Sequence, residues 1–144
     1  MGSDIVISLT GVGRSSNMQT YSRKVFIEDF TAAEWCPYCP VGSFTVRDLI
    51  EDNPDEIISI QWQVQSSYFD EDDCIKSNDS TCSSVRENLY NLEYIPTEVF
   101  NGIDMVVGAD VEWDNYARYD SVFQSFSDTE SAYDITISGT KNGS

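Results

Sequence analysis

Histidine is absent from this sequence of 144 residues. Because an imidazole is the base of Ser-His and Cys-His nucleophilic sites, both kinds of catalytic site are excluded, together with every metal site that contains histidine. Basic residues are also scarce, with 8 Lys and Arg against 25 Asp and Glu and a formal net charge of −17. No basic cluster is present, so nucleic acid and anionic membranes are poor partners. The acidic surface indicates either solubility in a saline or crowded exterior or attraction of cationic partners.

Long apolar runs are missing too. No segment reaches the roughly 20 apolar residues that span a bilayer, so we expect no membrane insertion. The start, Met1 to Asp4, lacks the basic and then apolar pattern of a signal peptide. A cloning scar in front of an excised segment would look the same. The length suits one compact domain with a sizeable core.

A strand, a helix and a second strand follow one another in the first half of the chain. Lys24–Thr31 is short, apolar and rich in β-formers, and a stretch of helical character runs from a cysteine pair to Asn53. Asn53-Pro54 ends that helix, and Ile57–Val64 is the next strand. A crossover of this length predicts that the two strands are parallel.

A polar, aperiodic segment, Gln65–Cys82, comes next and predicts a long loop insertion. Ser83 or Ser84 then caps a short helix that ends at Tyr90. The second helix is therefore expected only after this loop.

A β-hairpin and a final helix complete the main pattern. Glu98–Phe100 begins a strand, Asn101-Gly102 is the strongest hairpin signal in the chain, and Ile103–Val107 is the returning strand. Asp110 is expected to cap a helix whose aromatic residues recur every three or four positions, which predicts a stripe packed on a sheet. The stripe consists of Trp113, Tyr116, Tyr119, Phe123 and Phe126.

Strands are also predicted near both ends of the chain. Ile5, Ile7 and Leu9 share one face of the first, and residues 133–138 alternate between apolar and polar. We expect an N-terminal strand and connector over residues 1–23, the main domain over 24–127 and a C-terminal strand over 128–144. The last strand stops before a turn signal and lacks a partner in this pattern, so we expect it to begin a further β domain of a larger, multidomain protein.

The motif Cys36-Pro37-Tyr38-Cys39 opens the first predicted helix. A helix N-terminus stabilises a thiolate and lowers the pKa of a cysteine from about 8.5 to roughly 3.5–7.5, and Pro37 suits the first helical turn. We assign Cys36 as the nucleophile that attacks a substrate disulfide. Cys39 is then the thiol that resolves the mixed disulfide. A structural disulfide is the alternative interpretation of the pair.

Two further cysteines, Cys74 and Cys82, lie in the polar insertion. A zinc site would have to combine them with the first pair, but their spacing is wrong for a zinc knuckle, so we expect no metal. The preferred interpretation is a disulfide that closes a short loop and stabilises the protein by about 2–3 kcal/mol. The alternative is a second redox pair that exchanges with the first. Either favours an oxidising, extracytoplasmic location.

Trp35, the cysteine motif and Ile95-Pro96-Thr97 in front of a strand together resemble the thioredoxin superfamily. The resemblance covers about residues 24–127 and implies an α/β fold of three layers, in which helices flank a central mixed β-sheet. It also implies a cis peptide bond before Pro96, no cofactor, and a substrate chain that binds beside the dithiol. The substrate-binding residues that it implies are Trp35, Pro37, Tyr38, Ile95, Pro96 and Thr97.

Thioredoxins also carry a buried acid on the strand before the motif, which assists proton transfer from the resolving cysteine. Asp29 is the nearest match and is expected to take this catalytic role, although this chain has an extra residue between it and the cysteines. Glu28 on the opposite strand face is the alternative, and an exposed strand acid is the third interpretation.

A second pattern is similar to the thioredoxin-like domains of bacterial surface lipoproteins and outer-membrane-related proteins. It comprises Ile27–Thr31, Trp35–Pro40 and the long loop. Two functions follow from these resemblances. The first is a thiol-disulfide oxidoreductase whose partners are protein thiols and disulfides. The second is a non-catalytic binding or spacer module of a larger surface protein.

Overall fold

The fold is taken from a computed structural model, which describes residues 5–11, 21–32, 36–64, 80–131 and 133–139. The chain divides into two units, Lys24–Ser127 and a unit made of Met1–Arg23 and Asp128–Ser144. In the larger unit the elements are β3 (Val25–Thr31), α1 (Cys39–Asp52), β4 (Ile57–Gln63), α2 (Ser80–Tyr90), β5 (Thr97–Phe100), β6 (Asp104–Val107) and α3 (Asn115–Ser127). In the smaller unit they are β1 (Ile5–Gly11), β2 (Tyr21–Ser22), β7 (Glu130–Ser131) and β8 (Tyr133–Gly139).

A mixed sheet of four strands, in the order β4-β3-β5-β6, forms the centre of the larger unit. β3 and β4 are parallel, with Val25 opposite Ile57 and Thr31 opposite Gln63, which confirms the predicted crossover through α1. β5 is antiparallel to both β3 and β6. The predicted α/β class with a mixed sheet and flanking helices is therefore confirmed.

Helices lie on both faces of this sheet. Because successive strand residues point to opposite faces, neighbouring residues of β3 contact different helices. Asp29 contacts Ser43 of α1, whereas its neighbour Glu28 contacts Arg86 and Tyr90 of α2. α1 and α3 pack on the same side, where nine buried residues form the main hydrophobic core. They are Val25, Ile27, Val46, Leu49, Ile57, Phe100, Val106, Tyr119 and Phe123.

The aromatic stripe of α3 is only partly as predicted. Tyr119 and Phe123 are buried in the core, and Tyr116 and Phe126 pack against it. Trp113 precedes the helix and is half exposed, with the Arg118 guanidinium 4.7 Å from its ring centroid. Four of the five aromatic residues of the stripe therefore pack α3 against the sheet.

Three helix starts differ from the predictions. α1 begins at Cys39 with Pro40 in its first turn, so Pro37 precedes the helix. α2 begins at Ser80, so Cys82 lies within a helix and not in the loop. Serine costs a helix only a few tenths of a kcal/mol, so a helix can extend through these serines. α3 begins at Asn115.

The cap of α3 is Asp114 and not Asp110. The Asp114 carboxylate accepts a hydrogen bond from the Ala117 N–H at 3.0 Å, the geometry of a helix N-cap. Asp110 instead accepts the Glu112 N–H at 3.0 Å and so stabilises the preceding turn.

The predicted hairpin between β5 and β6 is confirmed. Asn101 and Gly102 have φ angles of 51° and 69°, the left-handed conformations that Asn and Gly tolerate best. The Ile103 N–H donates to the Phe100 carbonyl at 2.9 Å and closes the turn. The returning strand begins one residue later than predicted.

In the smaller unit, β1 and β8 form an antiparallel ribbon, with Ile7 opposite Ile137 and Leu9 opposite Ile135. β2 and β7 form a second short ladder, with Ser22 opposite Glu130. The sequence pattern predicts a last strand without a partner strand, but in the structure β8 pairs with β1. The expected further β domain stays a prediction.

Candidate dithiol site

Cys36 and Cys39 are joined by a disulfide bond, with their Cα atoms 5.4 Å apart. The bond lies at the start of α1: Cys36 precedes the helix, and Cys39 is its first residue. The Cys39 N–H donates to the Cys36 carbonyl at 3.3 Å, so the motif forms a turn that leads directly into the helix. When the bond is reduced, the unpaired N–H groups and the positive end of α1 favour a thiolate at Cys36, the cysteine that precedes the helix.

The two cysteines differ in accessibility. Cys39 is fully buried, and its sulfur accepts the Ala32 N–H at 3.4 Å. Cys36 keeps 6% of its surface exposed, and the next residues, Pro37 and Tyr38, are exposed. A partner disulfide can therefore approach Cys36 more easily than Cys39, which supports the order of nucleophile and resolving thiol.

The segment 94–97 lies beside the disulfide. Ile95 packs against the buried cluster of Ala32, Cys36 and Cys39, and the peptide bond between Ile95 and Pro96 is cis, the form that the resemblance implies. Pro96 and Thr97 are buried behind it. The structure thus brings Ile95 to the dithiol, while Trp35 lies outside the described residues.

Both candidate acids of β3 are buried, so the interpretation as an exposed strand acid is wrong. Asp29 lies on the α1 side, where its Oδ2 accepts hydrogen bonds from Ser43 at 2.7 Å and from Gln61 at 3.0 Å. Burial raises the pKa of the Asp29 carboxyl, and these two hydrogen bonds oppose the rise only in part. Because α1 carries the dithiol, Asp29 is on the same side of the sheet as the cysteines.

Glu28 lies on the opposite side and is fully satisfied. Its carboxylate accepts hydrogen bonds from the Arg86 guanidinium at 2.8 Å, from the Trp62 indole at 3.0 Å and from the Tyr90 hydroxyl. Phe30 contributes to the same cluster, with its ring 5.9 Å from that of Tyr90. The arrangement ties α2 to β3 and β4, which is a structural role.

Glu98 is a buried acid that the sequence pattern does not reveal. It is fully buried in β5, directly opposite Asp29 across the β3–β5 pairing. Burial raises the pKa of its carboxyl to about 8, and the neighbouring Asp29 charge adds to the effect. In the sequence, Glu98 lies in the strand between the cis proline and the hairpin. Its position in that strand, which is central in the sheet, is the feature that could have indicated a buried acid.

Comparison with known proteins gives the fold. No family profile and no curated protein matches the sequence, but solved structures do. A thioredoxin from Malassezia sympodialis is 26% identical and has a TM-score of 0.50, over 74% of this chain and 77% of that one.

Two oxidised thioredoxins have the same TM-score. Mitochondrial thioredoxin 3 from Saccharomyces cerevisiae is 18% identical over 72% of this chain and 79% of its own. Thioredoxin O2 from Arabidopsis thaliana is 21% identical over 74% and 80%. The chain therefore has a thioredoxin fold. Combined with the Cys36–Cys39 pair, that fold indicates a thioredoxin-like redox role.

Other predicted features fall partly outside the described residues. Cys74 and the side chain of Cys82 are not described, so their disulfide stays a prediction. Among the residues that the structure describes, no group of three acidic or cysteine side chains is arranged to hold a metal ion. None of the described helices has both the length and the apolar character needed to cross a bilayer.

Proposed function

We propose that this chain is a thiol-disulfide oxidoreductase that acts on protein disulfides through Cys36 and Cys39. The observation that carries the proposal is the position of the Cys36–Cys39 bond at the N-terminus of α1, in one cluster with Ile95. A structural disulfide would need no exposed neighbour. Here the motif residues Pro37 and Tyr38 are exposed beside the more accessible sulfur, which leaves room for a substrate chain.

The exchange proceeds in two steps. In the reduced protein, the Cys36 thiolate attacks one sulfur of a substrate disulfide, forms a mixed disulfide and releases the other sulfur as a thiolate. Cys39 then loses its proton, and its thiolate attacks the Cys36 sulfur. The Cys36–Cys39 bond forms and the second substrate thiolate leaves. Two electrons pass from the dithiol to the substrate, and the released thiolates take up protons from water.

A surface for the substrate chain is available next to the dithiol. Tyr38 and Tyr94 are exposed by 49% and 68%, and Ile95, which packs against the two cysteines, is half buried. We assign substrate contacts to Pro37, Tyr38 and Ile95, and we place Pro96 and Thr97 behind them as the residues that shape this bend. Trp35, which precedes Cys36 in the sequence, stays a predicted substrate contact.

We also propose that the protein works outside the cytoplasm as part of a larger protein. The strongly acidic composition supports a saline or crowded exterior, and the predicted disulfide between Cys74 and Cys82 supports an oxidising one.

Reduction of insulin by dithiothreitol tests the activity. The wild-type protein should accelerate it, Cys36→Ser should abolish the acceleration, and Cys39→Ser should accumulate a mixed disulfide with the substrate. Cys82→Ser is the matched control and should retain turnover. A wild-type protein without turnover would leave the non-catalytic binding or spacer module as the function.

A further inference from the structure

Glu98 is an unusual residue for the position that it occupies. β5 lies between β3 and β6, and the Glu98 side chain has no exposed surface. Within the described part of the chain, neither of its carboxyl oxygens has a hydrogen-bond partner at normal distance. An ionised carboxylate in such a place is disfavoured because burial removes its hydration and only the Tyr119 hydroxyl opposes the resulting rise in pKa to any large extent.

A second carboxyl faces it. Asp29 and Glu98 are paired across the antiparallel strands β3 and β5, so their side chains lie on the same face of the sheet. Asp29 Oδ2 is hydrogen-bonded, but Oδ1 has no partner among the described residues. Two buried carboxyls at neighbouring positions resist simultaneous ionisation, and such a pair loses its protons in two separate steps.

The groups around the pair provide little positive charge. From α3, the Tyr119 hydroxyl faces Glu98, and the Arg118 guanidinium is held elsewhere, by the carbonyls of Gly108 and Val107 at 2.8 and 2.9 Å. β6 places the apolar Val106 opposite Glu98. From α1 and β4, Ser43 and Gln61 donate only to Asp29. Because only Asp29 receives these hydrogen bonds, Asp29 is the more stable of the two as a carboxylate, and Glu98 is the one that keeps its proton.

The pair lies under the face of α1 that carries Cys39. Residues three and four positions after Cys39, Gly42 and Ser43, occupy the same side of the helix. Ser43 is bonded to Asp29, and a methyl group at Gly42 would lie only 2.6 Å from Glu98 Oε1 and 3.2 Å from the Tyr119 hydroxyl oxygen. The absence of a side chain at Gly42 is what lets the helix rest on the carboxyl pair.

We propose that Asp29 and Glu98 together carry a single proton at neutral pH, and that Glu98, as a positioning residue, holds this proton and leaves Asp29 ionised for the role that the thioredoxin resemblance implies, acceptance of the proton of Cys39. The inference rests on the proposed function. When Cys39 attacks the mixed disulfide, its thiol proton passes to the Asp29 carboxylate, and the resulting thiolate forms the bond to Cys36. The pair then carries two protons and returns one to water.

Carbon-13 NMR titration of the Asp29 and Glu98 carboxyl carbons tests this directly, in both the oxidised and the reduced protein. In the oxidised protein, Glu98 should be protonated at pH 7 and lose its proton near pH 8. The Asp29 signal should sense this upper step. Glu98→Gln should remove the step from the Asp29 signal, whereas Glu93→Gln, at an exposed acid, should leave it in place.

Reduction adds negative charge at the cysteines, so it should move the upper step to higher pH. A Glu98 that is already ionised at pH 7 would overturn the shared proton, and an upper step at the same pH in both redox states would overturn the link to Cys39. Neither measurement depends on insulin turnover, so a protein that fails the activity assay can still confirm or refute the carboxyl pair.

Discussion

Glu28 and Asp29 are consecutive in β3, both are buried, and they lie on opposite faces of the sheet in opposite electrostatic surroundings. Glu28 meets a guanidinium, an indole N–H and a hydroxyl. Asp29 meets a serine, a glutamine and another carboxyl. One strand therefore carries a satisfied structural ion pair on its α2 side and a poorly compensated, titratable group on its α1 side.

The ion pair predicts a clear loss of stability when one partner is removed. Glu28→Ala should lower the free energy of unfolding by about 2–3 kcal/mol, near the lower end for buried pairs because the Arg86 side chain is 33% exposed. Urea denaturation followed by circular dichroism measures the change. Asp48→Ala, which removes an exposed pair with Arg47, is the control and should have little effect. Equal losses in the two variants would contradict the structural role of Glu28.

The raised pKa of Glu98 predicts that stability falls as pH increases. Its pKa changes from 4.5, the ordinary value, to about 8 on folding, so the folded state binds the extra proton. The contribution is fully present below pH 4.5 and is lost as pH rises towards 8. The slope is at most about 1.4 kcal/mol for each pH unit, or roughly 3 kcal/mol between pH 5 and 7.5.

Comparison with Glu98→Gln isolates the titration of Glu98 and of the coupled Asp29, because all other titrating groups are common to both proteins. The free energy of unfolding of the variant, relative to the wild type, should rise steadily from pH 5 to pH 8. A difference that stays constant over this range would show that Glu98 is ionised in the folded protein.

The close packing around Gly42 predicts that this helix position tolerates no side chain. Alanine normally favours a helix by about 1 kcal/mol over glycine, but here its methyl group would lie 2.6 Å from Glu98 Oε1 and 3.1 Å from the Pro96 Cβ. Gly42→Ala should therefore destabilise the protein by about 1–3 kcal/mol. Ser121→Ala, at an exposed position of α3, should be neutral or slightly stabilising. Thermal unfolding distinguishes the two outcomes, and a stabilised Gly42→Ala variant would contradict the close approach.

The hairpin turn predicts a smaller cost at Gly102. Its φ of 69° is one that an L residue adopts with strain, and a methyl group there would also lie 3.3 Å from the Tyr90 hydroxyl oxygen. Gly102→Ala should lower the free energy of unfolding by about 1–2 kcal/mol, whereas Gly102→Asn should cost less because Asn tolerates this conformation better. Denaturation of both variants in urea measures the order, and the reverse order would argue against the turn.

Local signals were enough to predict much of the fold and the dithiol site. Asn101-Gly102 predicts the hairpin turn without reference to the rest of the chain. In the same way, the cysteine motif before a helix predicts thiol-disulfide chemistry. The cap of α3 could not be chosen in this way, because Asp110 and Asp114 are equally good acceptors and only the packing of the chain between them decides which one begins the helix. Glu98 was missed for a similar reason. An acid in a short strand is expected at the surface until the strand order shows that the strand is central.

The pairing of Ser22 with Glu130 has a consequence for engineering. Residues 24–127 leave and re-enter the smaller unit through adjacent, hydrogen-bonded strands. In topological terms the larger unit is an insertion between the two paired strands β2 and β7. A short turn from Ser22 to Glu130 would therefore connect these two strands directly in a version of the chain from which the larger unit has been removed.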